Sequence, residues 1–300
     1  MPPAYLIVNP RASQVTPELT ERIAGELRTA GPLEVVETRA RGHARELAAS
    51  ASREADRIYV YSGDGGFNEV LNGLEADVPV GFLPGGGTSV LPRALGLARD
   101  PVECARSLAR GTRLRRISLG RVNGRRYAFS ASLGLDAAAV RLVDERGRTQ
   151  EGRRPGDAAF LAAFARLLRQ AGGRIEAQAE VVGHGRAAWI LVANCDPYTY
   201  VGCLAVHAAP EARFELGLDL VAPRRVRVAS APRFLRYALT GRGQERARDF
   251  VYLHDRDRIE VRCDLSMPLQ VDGEDLGDVD AVVFEAERDA VSVLLPAQLV

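Results

Sequence analysis

The stretch VYSGDGGFNEVLNGL, residues 60–74, places three glycines and an aspartate between an apolar run and a helix-like segment. Glycine lets the backbone adopt positive φ and lets a ligand approach without a Cβ in the way. We predict that the next helix begins near Phe67, so that its free N–H groups face the same space as the turn. This combination is typical of a phosphate-binding turn, with a purely structural tight turn as the alternative.

The same pattern recurs one strand later. GFLPGGGTSVLPRALGL, residues 81–97, again gives a strand, three glycines, two hydroxyl side chains and a helix. Two such turns on adjacent parallel strands would face one crevice. At the amino end, IVNPRAS places Asn9, Arg11 and Ser13 at the mouth of the first strand, although an Asn-Pro turn with no further role is an alternative.

Working outward, short β-branched runs alternate with helix-like segments over the first part of the chain. The strand-like runs are 4–8, 33–37, 57–61 and 78–83, and the helix-like segments are 16–30, 43–52 and 67–74. This alternation predicts a parallel sheet with helices on both faces, which binds ligands where strands end.

The pattern changes near residue 113. Asn123-Gly124, between two strand-like runs, is a strong signal for a type I′ hairpin turn. Later segments are mostly strand-like, with helices expected only near 135–146, 155–171 and 232–240. The predicted fold class is α/β plus mainly β: a Rossmann-like parallel-sheet domain over 1–112, with 287–300 as a candidate addition, and an antiparallel β-sandwich domain over 113–286.

Composition narrows the chemistry. The chain has 300 residues, a formal net charge of +1 and no lysine, which excludes a P-loop lysine, a protein-kinase strand lysine and a Schiff-base lysine. Nothing in the overall charge indicates nucleic acid as a partner. The four cysteines lack C-x-x-C spacing, so neither zinc nor a disulfide framework is indicated. No signal peptide or membrane span is expected, and 146–157 is the segment expected to be most mobile.

Five segments occur in an order that resembles the diacylglycerol kinase catalytic-domain family, which includes bacterial lipid kinases and sphingosine kinases. They are LIVNPRAS (6–13), GHA (42–44), SGDGGFNEVLNGL (62–74), PGGGTSVLPRALG (84–96) and VDGE (271–274). The resemblance implies an ATP-binding domain related to phosphofructokinase and NAD kinase, a β-sandwich domain for a lipid alcohol, and ATP with Mg²⁺ as cofactors. It also implies a cytoplasmic protein in transient contact with the inner face of the membrane, in a family where homodimers occur.

The resemblance also implies roles for individual residues. The nucleotide-binding set is Asn9, Arg11, Thr38, Asp64, Gly65, Gly66, Asn68, Glu69, Gly85, Gly86, Gly87, Thr88 and Arg93. Asp272 would be the general base and Glu274 would lie toward the γ-phosphate. Asp136, with Asp144 as the alternative, would orient the lipid substrate, and Glu215 with Asp219 would hold a structural metal.

The chain departs from the family pattern at two turn positions. Gly66 stands where the family usually has threonine, so one hydroxyl donor is missing, and Ser89 stands where it usually has asparagine. Without the resemblance, VDGEDLGD is an acidic β-turn. NAD kinase, whose loop is similar, and a nucleotide-binding module that has lost catalysis therefore stay open as alternatives.

A basic segment offers a membrane contact. Residues 223–250 hold eight arginines among apolar side chains, which is typical of an amphipathic helix on anionic headgroups. A solvated basic face is the alternative. Exposure of Phe234 and Tyr237 would favour the membrane.

Overall fold

A computed structural model describes residues 2–145, 147 and 157–297. It divides into two compact units, Met1–Ile117 with Asp289–Val300 (unit 1) and Ser118–Arg288 (unit 2). The division falls after Ile117 and Arg288, whereas the sequence placed it after residues 112 and 286. The predicted ATP-binding and lipid-binding roles of the two units stay predictions. The predicted mobile loop at 146–157 lies almost entirely outside the described residues.

Unit 1 is built on a parallel sheet. Its elements are β1 (Ala4–Val8), α1 (Pro17–Arg28), β2 (Leu33–Glu37), α2 (His43–Glu54), β3 (Ile58–Ser62), α3 (Asp64–Gly73), β4 (Val80–Pro84), α4 (Val90–Ala94) and α5 (Pro101–Arg110). The strand order is β2-β1-β3-β4 with every pair parallel, and Val293, near the end of β18 (Glu274–Pro296), pairs with Val80 of β4. Every residue of β3 and β4 is buried, as expected of strands covered on both faces.

Local sequence explains where two of these helices begin. The Thr16 side chain accepts from the Leu19 N–H at the start of α1, and Asp100 accepts from the Glu103 N–H at the start of α5. A proline follows each cap at the first helical position, where its missing N–H costs no intrahelical bond. The predicted parallel α/β unit is confirmed, although α5 was not among the predicted helices.

Unit 2 is rich in antiparallel strands. Its elements are β5 (Thr112–Val122, entering from unit 1), β6 (Arg125–Tyr127), β7 (Ser130–Leu133), α6 (Leu135–Glu145), α7 (Asp157–Gln170), β8 (Arg174–Ile175), β9 (Ala179–Val181), β10 (Gly185–Ala187), β11 (Ile190–Ala193), β12 (Thr199–Val201), β13 (Leu204–Val206), β14 (Leu218–Pro223), β15 (Val226–Arg227), α8 (Ala231–Thr240), β16 (Phe250–Arg256), β17 (Arg258–Val271) and most of β18. The main strand order is β16-β14-β11-β7-β17-β18.

The long strand β17 takes part in two layers. Near its start Val261 pairs with Val181 of β9, and near its end Leu269 pairs with Leu133 of β7. Its register with β18 shifts between Arg262 and Met267, where a bulge lets a strand bend. Side chains from both halves enclose one buried apolar core, the arrangement of a β-sandwich whose strands pass from one sheet to the other.

The predicted hairpin at Asn123-Gly124 is confirmed. Both residues have positive φ, 50° and 77°, and Val122 of β5 pairs with Arg125 of β6 across the turn. Among the described residues, no helix combines the length and the apolar character that crossing a bilayer requires.

Candidate functional site

Three loops of unit 1 follow the carboxyl ends of β1, β3 and β4 and lie against one another. The Gln14 N–H donates to the Gly85 carbonyl over 3.0 Å, and the Gly85 N–H donates to the Ser62 carbonyl over 2.7 Å. Because β1, β3 and β4 are parallel neighbours, their loops share one edge of the sheet. That edge is where open α/β sheets bind ligands.

The two glycine-rich turns touch through their backbones. A Cβ at Gly86 would lie 2.9 Å from the Gly63 Cα, and a Cβ at Gly85 would lie 2.8 Å from the side chain of Val15. Side chains at these positions would push the turns apart. The structure therefore brings together the two turns that the sequence predicted to face one crevice.

Helix α3 begins at Asp64, earlier than the start predicted near Phe67. Gly63 is its N-cap with φ of −91°, and Gly65 and Gly66 do not have positive φ. Positive φ is therefore the wrong reason for these glycines. At Gly66 the reason is the Ser62 side chain, which occupies the space of a Cβ. The N–H groups of Gly66 and Phe67 bond to the Gly63 carbonyl, and the positive end of the helix dipole at this turn favours an anion.

Asp64 joins the two glycine-rich turns. Its carboxylate accepts from the N–H groups of Val90 over 3.0 Å and Leu91 over 3.2 Å, at the start of α4. Ser89, the N-cap of α4, makes no side-chain capping bond. Asp64 therefore caps a helix that lies 26 residues further along the chain.

We expect Asp64→Ala to lower the free energy of unfolding by about 1–2 kcal/mol, because two helix N–H groups lose their acceptor. We also expect weaker ATP binding, because the second turn loses its attachment to the first. Asp100→Ala, which removes the cap of α5, is the matched control and should cost similar stability without changing ATP affinity. Urea unfolding and calorimetric ATP titration measure both quantities, and equal ATP affinity in the two variants would contradict the expectation.

Ser62 was not predicted and lies where a side chain at position 66 would go. A Cβ at Gly66 would lie 2.0 Å from the Ser62 Oγ and 2.8 Å from the Ser62 Cβ. The Ser62 side chain is buried, and its Oγ has no hydrogen-bond partner among the described residues. The hydroxyl that the family resemblance expects at position 66 is therefore matched by one on the preceding strand.

Other predicted nucleotide residues divide into two groups. The Asn9 Nδ2 lies 3.8 Å from the position that a Cβ of residue 66 would take, so Asn9 belongs to the same edge of the sheet.

Glu69 has a different position. It accepts from the N–H groups of Gly42 and Ala44 over 2.9 and 3.2 Å, which caps α2. Asn68 is buried, and its Oδ1 accepts from Asn72. These bonds give Glu69 and Asn68 structural roles. Nucleotide contacts remain predictions for both, as they do for Arg11, Thr38, Gly87, Thr88 and Arg93.

In unit 2, Asp272 lies in the two-residue turn between β17 and β18. Asp272 and Gly273 have φ of 47° and 79°, as in a type I′ hairpin turn. The Asp272 carboxylate accepts from the N–H groups of Ala128 over 2.7 Å, Phe129 over 3.0 Å and Ser130 over 3.2 Å. These donors stabilise a charged carboxylate and fix its direction. Its role as the general base stays a prediction.

Glu274 and Asp275 follow this turn and pair with arginines. Glu274 forms an ion pair with Arg125 of β6, and Asp275 forms one with Arg141 of α6. The pair with Arg141 lowers the pKa of Asp275. A role for Glu274 at the γ-phosphate stays a prediction.

Asp136 lies at the start of α6 in a buried polar cluster. Its carboxylate accepts from the Ser132 hydroxyl over 2.5 Å, the Tyr198 hydroxyl over 2.8 Å and the Gln270 amide over 3.1 Å. Burial raises the pKa of Asp136, against the effect of these three donors. Gln270 also accepts from the Gly273 N–H over 2.8 Å, so one side chain connects Asp136 to the turn that holds Asp272.

Asp219, predicted with Glu215 to hold a structural metal, is buried in unit 2. Its carboxylate accepts from the Asp255 N–H over 3.0 Å, with the His254 Nδ1 at 2.9 Å. Over the described ranges, no three His, Cys, Asp or Glu side chains are arranged to hold a metal ion. These bonds give Asp219 a structural role, and the metal role of the two acids stays a prediction.

Residues 3–122 match the family model for the diacylglycerol kinase catalytic domain. Over these residues the chain is similar to diacylglycerol kinase catalytic domains. The family predicted from the sequence is thereby confirmed over this part of the chain, which contains the glycine-rich turns.

Two curated proteins are similar to part of the chain. The chain is 35% identical to sphingoid long-chain bases kinase 1 of Arabidopsis thaliana, over 37% of this chain and 16% of that protein. It is 36% identical to the diacylglycerol kinase of Bacillus subtilis (strain 168), over 31% of this chain and 32% of that protein. The alignments thus span a third or less of these relatives' own lengths.

The fold of the whole chain also has a solved counterpart. The crystal structure of a diacylglycerol kinase from Bacillus anthracis str. Sterne matches with a TM-score of 0.73 and 17% identity, over 99% of this chain and 98% of that chain. This likeness confirms the predicted fold class.

Proposed function

We propose that the protein is an ATP-dependent kinase that transfers the γ-phosphate to a hydroxyl group of a diacylglycerol-like lipid alcohol at a membrane surface. The observation that carries the proposal is the pair of touching glycine-rich turns within the diacylglycerol kinase catalytic domain. Both curated relatives that align with part of the chain are named as kinases of lipids.

The residues of unit 1 fit a nucleotide phosphate. The two turns lie in backbone contact beside the start of α3, whose N-terminal N–H groups and positive dipole end would attract a phosphate. The buried Ser62 Oγ, without a partner among the described residues, supplies a hydroxyl donor beside them. Because the chain has no lysine, charge on the phosphates must be met by such N–H groups, by arginine and by a metal ion.

Mg²⁺ would enter with the nucleotide, since it binds mainly through phosphate oxygens with one or two carboxylates, and would neutralise developing charge. Asp64 is the carboxylate of the first turn, and its oxygens accept from Val90 and Leu91.

Unit 2 supplies the proposed acceptor side of the reaction. Phosphoryl transfer needs a positioned hydroxyl and a carboxylate that takes its proton. Asp272, held by three N–H donors, is the proposed base, and Asp136 is proposed to orient the lipid. Gln270 bonds to both Asp136 and Gly273, so it would keep the two carboxylates in a fixed relation.

Transfer of label from γ-labelled ATP tests this function. Mixed detergent micelles would carry diacylglycerol, monoacylglycerol, sphingosine, ceramide or phosphatidylglycerol in turn, with NAD as a separate soluble acceptor. We expect label in one or more lipid alcohols and none in NAD. Label in NAD instead would favour an NAD kinase. ATP binding without transfer to any acceptor would favour a nucleotide-binding module that has lost catalysis.

A further inference from the structure

Helix α8 has apolar side chains on both sides. Phe234 and Tyr237 face inward and make edge contacts with Phe250, with ring centroids 5.3 and 6.1 Å apart. Leu235 and Leu239, one turn apart, are 59% and 43% exposed. A surface helix ordinarily presents polar side chains to water on its outer face. The outer face of α8 instead presents leucines.

The aromatics that would favour a membrane contact are not the exposed ones. Tyr237 is buried and Phe234 is half-buried, because both pack on the body of unit 2. The exposure of Phe234 and Tyr237 that would favour a membrane contact is therefore not observed, and the exposed apolar side chains of α8 are leucines. The periodicity of a short helix does not say which of its two apolar stripes faces inward.

Other exposed apolar side chains lie on elements that contact α8. Val228 is exposed in the 3-10 turn that precedes α8, and Val201 and Leu204 are exposed on the β12–β13 hairpin. The hairpin is attached to the helix, since the His207 N–H donates to the Ala238 carbonyl over 2.7 Å. Five of the eight large apolar side chains that the described residues expose lie on these elements. We call them the apolar patch: Val201, Leu204, Val228, Leu235 and Leu239.

The segment that contains α8 is strongly basic. Residues 223–250 contain eight arginines and two acids, Glu245 and Asp249. Asp249 forms an ion pair with Arg233, and Glu245 accepts from the Gly243 N–H. The exposed arginines are Arg224, Arg225, Arg227, Arg236, Arg242, Arg246 and Arg248.

This charge distinguishes between two occupants of the patch. A second copy of the chain would bring the same arginines face to face in a symmetric contact, which like charges oppose. An anionic bilayer offers hydrocarbon to the leucines and negative headgroups to the arginines. Each arginine near such a surface raises the binding constant for the membrane about fivefold.

The patch is also connected to the proposed lipid site in the same unit. The Tyr198 hydroxyl donates to Asp136, and the Tyr198 N–H donates to the Val206 carbonyl at the base of the β12–β13 hairpin. His207, the next residue, is bonded to α8. A short run of hydrogen bonds thus leads from the apolar patch to the Asp136 carboxylate.

We infer that the apolar patch docks on an anionic lipid bilayer, with its leucines among the acyl chains and the arginines on the headgroups. This docking, whose role rests on the proposed function, would hold Asp136 and Asp272 at the level of the bilayer interface where the hydroxyl of a lipid lies. The surface thereby selects a membrane-borne alcohol over a soluble one.

Vesicle binding tests the docking. We expect the protein to sediment with phosphatidylcholine vesicles that contain phosphatidylglycerol, and much less with phosphatidylcholine alone or at high salt. The double variant Leu235→Glu/Leu239→Glu should lower the partition coefficient by about tenfold or more. The control Leu114→Glu/Leu265→Glu changes two other exposed leucines and should bind as the wild type does. Equal loss in both double variants would overturn the inference.

Cys203, in the turn of the β12–β13 hairpin, permits a direct probe of insertion. It is exposed, Cys104 and Cys195 are buried, and a Cys263→Ser background removes the remaining half-buried thiol. A polarity-sensitive fluorophore on Cys203 should shift to the blue on anionic vesicles, and the shift should disappear in Leu235→Glu/Leu239→Glu. A fluorophore that stays in water while the protein is bound would overturn the inference.

Two further measurements separate this inference from the proposed function. Transfer to a short-chain diacylglycerol dissolved as monomers reports on catalysis without a bilayer, and it should be unchanged in Leu235→Glu/Leu239→Glu. Binding that depends on the leucines, in a protein that phosphorylates no lipid, would sink the kinase and leave the docking surface standing. Unchanged binding in an active kinase, or a dimer that the double variant dissociates, would sink the docking surface.

Discussion

Replacing Asp272 with asparagine lowers the rate of phosphoryl transfer by about 10²–10⁴-fold, because an amide cannot take the proton of the lipid hydroxyl. The backbone conformation should survive, since asparagine tolerates the positive φ that Asp272 adopts. ATP affinity should be unchanged, because Asp272 belongs to unit 2 and the proposed nucleotide contacts belong to unit 1. The measurement is the initial rate of label transfer at saturating ATP, together with the ATP dissociation constant.

The same substitution also costs some stability. The carboxylate accepts three N–H groups, and an asparagine would set its own NH₂ against at least one of them, at about 1–3 kcal/mol. Asp255→Asn is the matched control. Asp255 also has positive φ, and its carboxylate accepts from the Gly217 N–H. Comparable destabilisation in both variants, with transfer lost only in Asp272→Asn, supports the proposed base. Transfer at the wild-type rate in folded Asp272→Asn contradicts it.

The sequence predicted the sheet of unit 1 well because its signals are local. Each strand is a short apolar run followed by turn residues, and β1 and β2 have the predicted bounds. The start of α3 was wrong because glycine has low helix propensity, which argued against a helix at Gly65 and Gly66. The glycines of the two turns are required by packing between the turns, as the contact between Gly63 and Gly86 shows. Local helix propensity does not include such contacts between residues far apart in the chain.

The cluster around Asp136 could not be read from the sequence for a related reason. Tyr198 and Gln270 lie 62 and 134 residues away from Asp136, and neither belongs to a spacing pattern with it. Gln270 reaches Asp136 because β7 pairs with β17, which places Ser132 opposite Gln270. The partners of Asp219 were hidden from the sequence in the same way. The family resemblance predicted a metal role for Asp219 with Glu215, which stays a prediction, whereas the Asp255 N–H of β16, 36 residues away, donates to its carboxylate.

Ser62 and Gly66 share one space, so substitutions at the two positions should be strongly coupled. In Gly66→Thr the new Cβ meets the Ser62 side chain, so we expect a loss of about 1–3 kcal/mol in the free energy of unfolding. ATP binding should weaken as well, because the first turn of α3 is displaced. Ser62→Gly alone should weaken ATP binding by about three- to tenfold, the usual worth of one hydroxyl donor.

The double variant Ser62→Gly/Gly66→Thr should recover much of both losses, because it clears the space and restores a hydroxyl. The expected coupling between the two positions is about 1–3 kcal/mol, well above the few tenths seen for independent sites. Ser118→Gly is the control, since the Ser118 hydroxyl is also buried and without a partner among the described residues, yet it belongs to unit 2. It should lose stability and keep ATP affinity. If the losses in unfolding free energy at positions 62 and 66 are strictly additive, the two side chains do not occupy the same space. If Ser62→Gly leaves ATP affinity unchanged, Ser62 does not contact the phosphate.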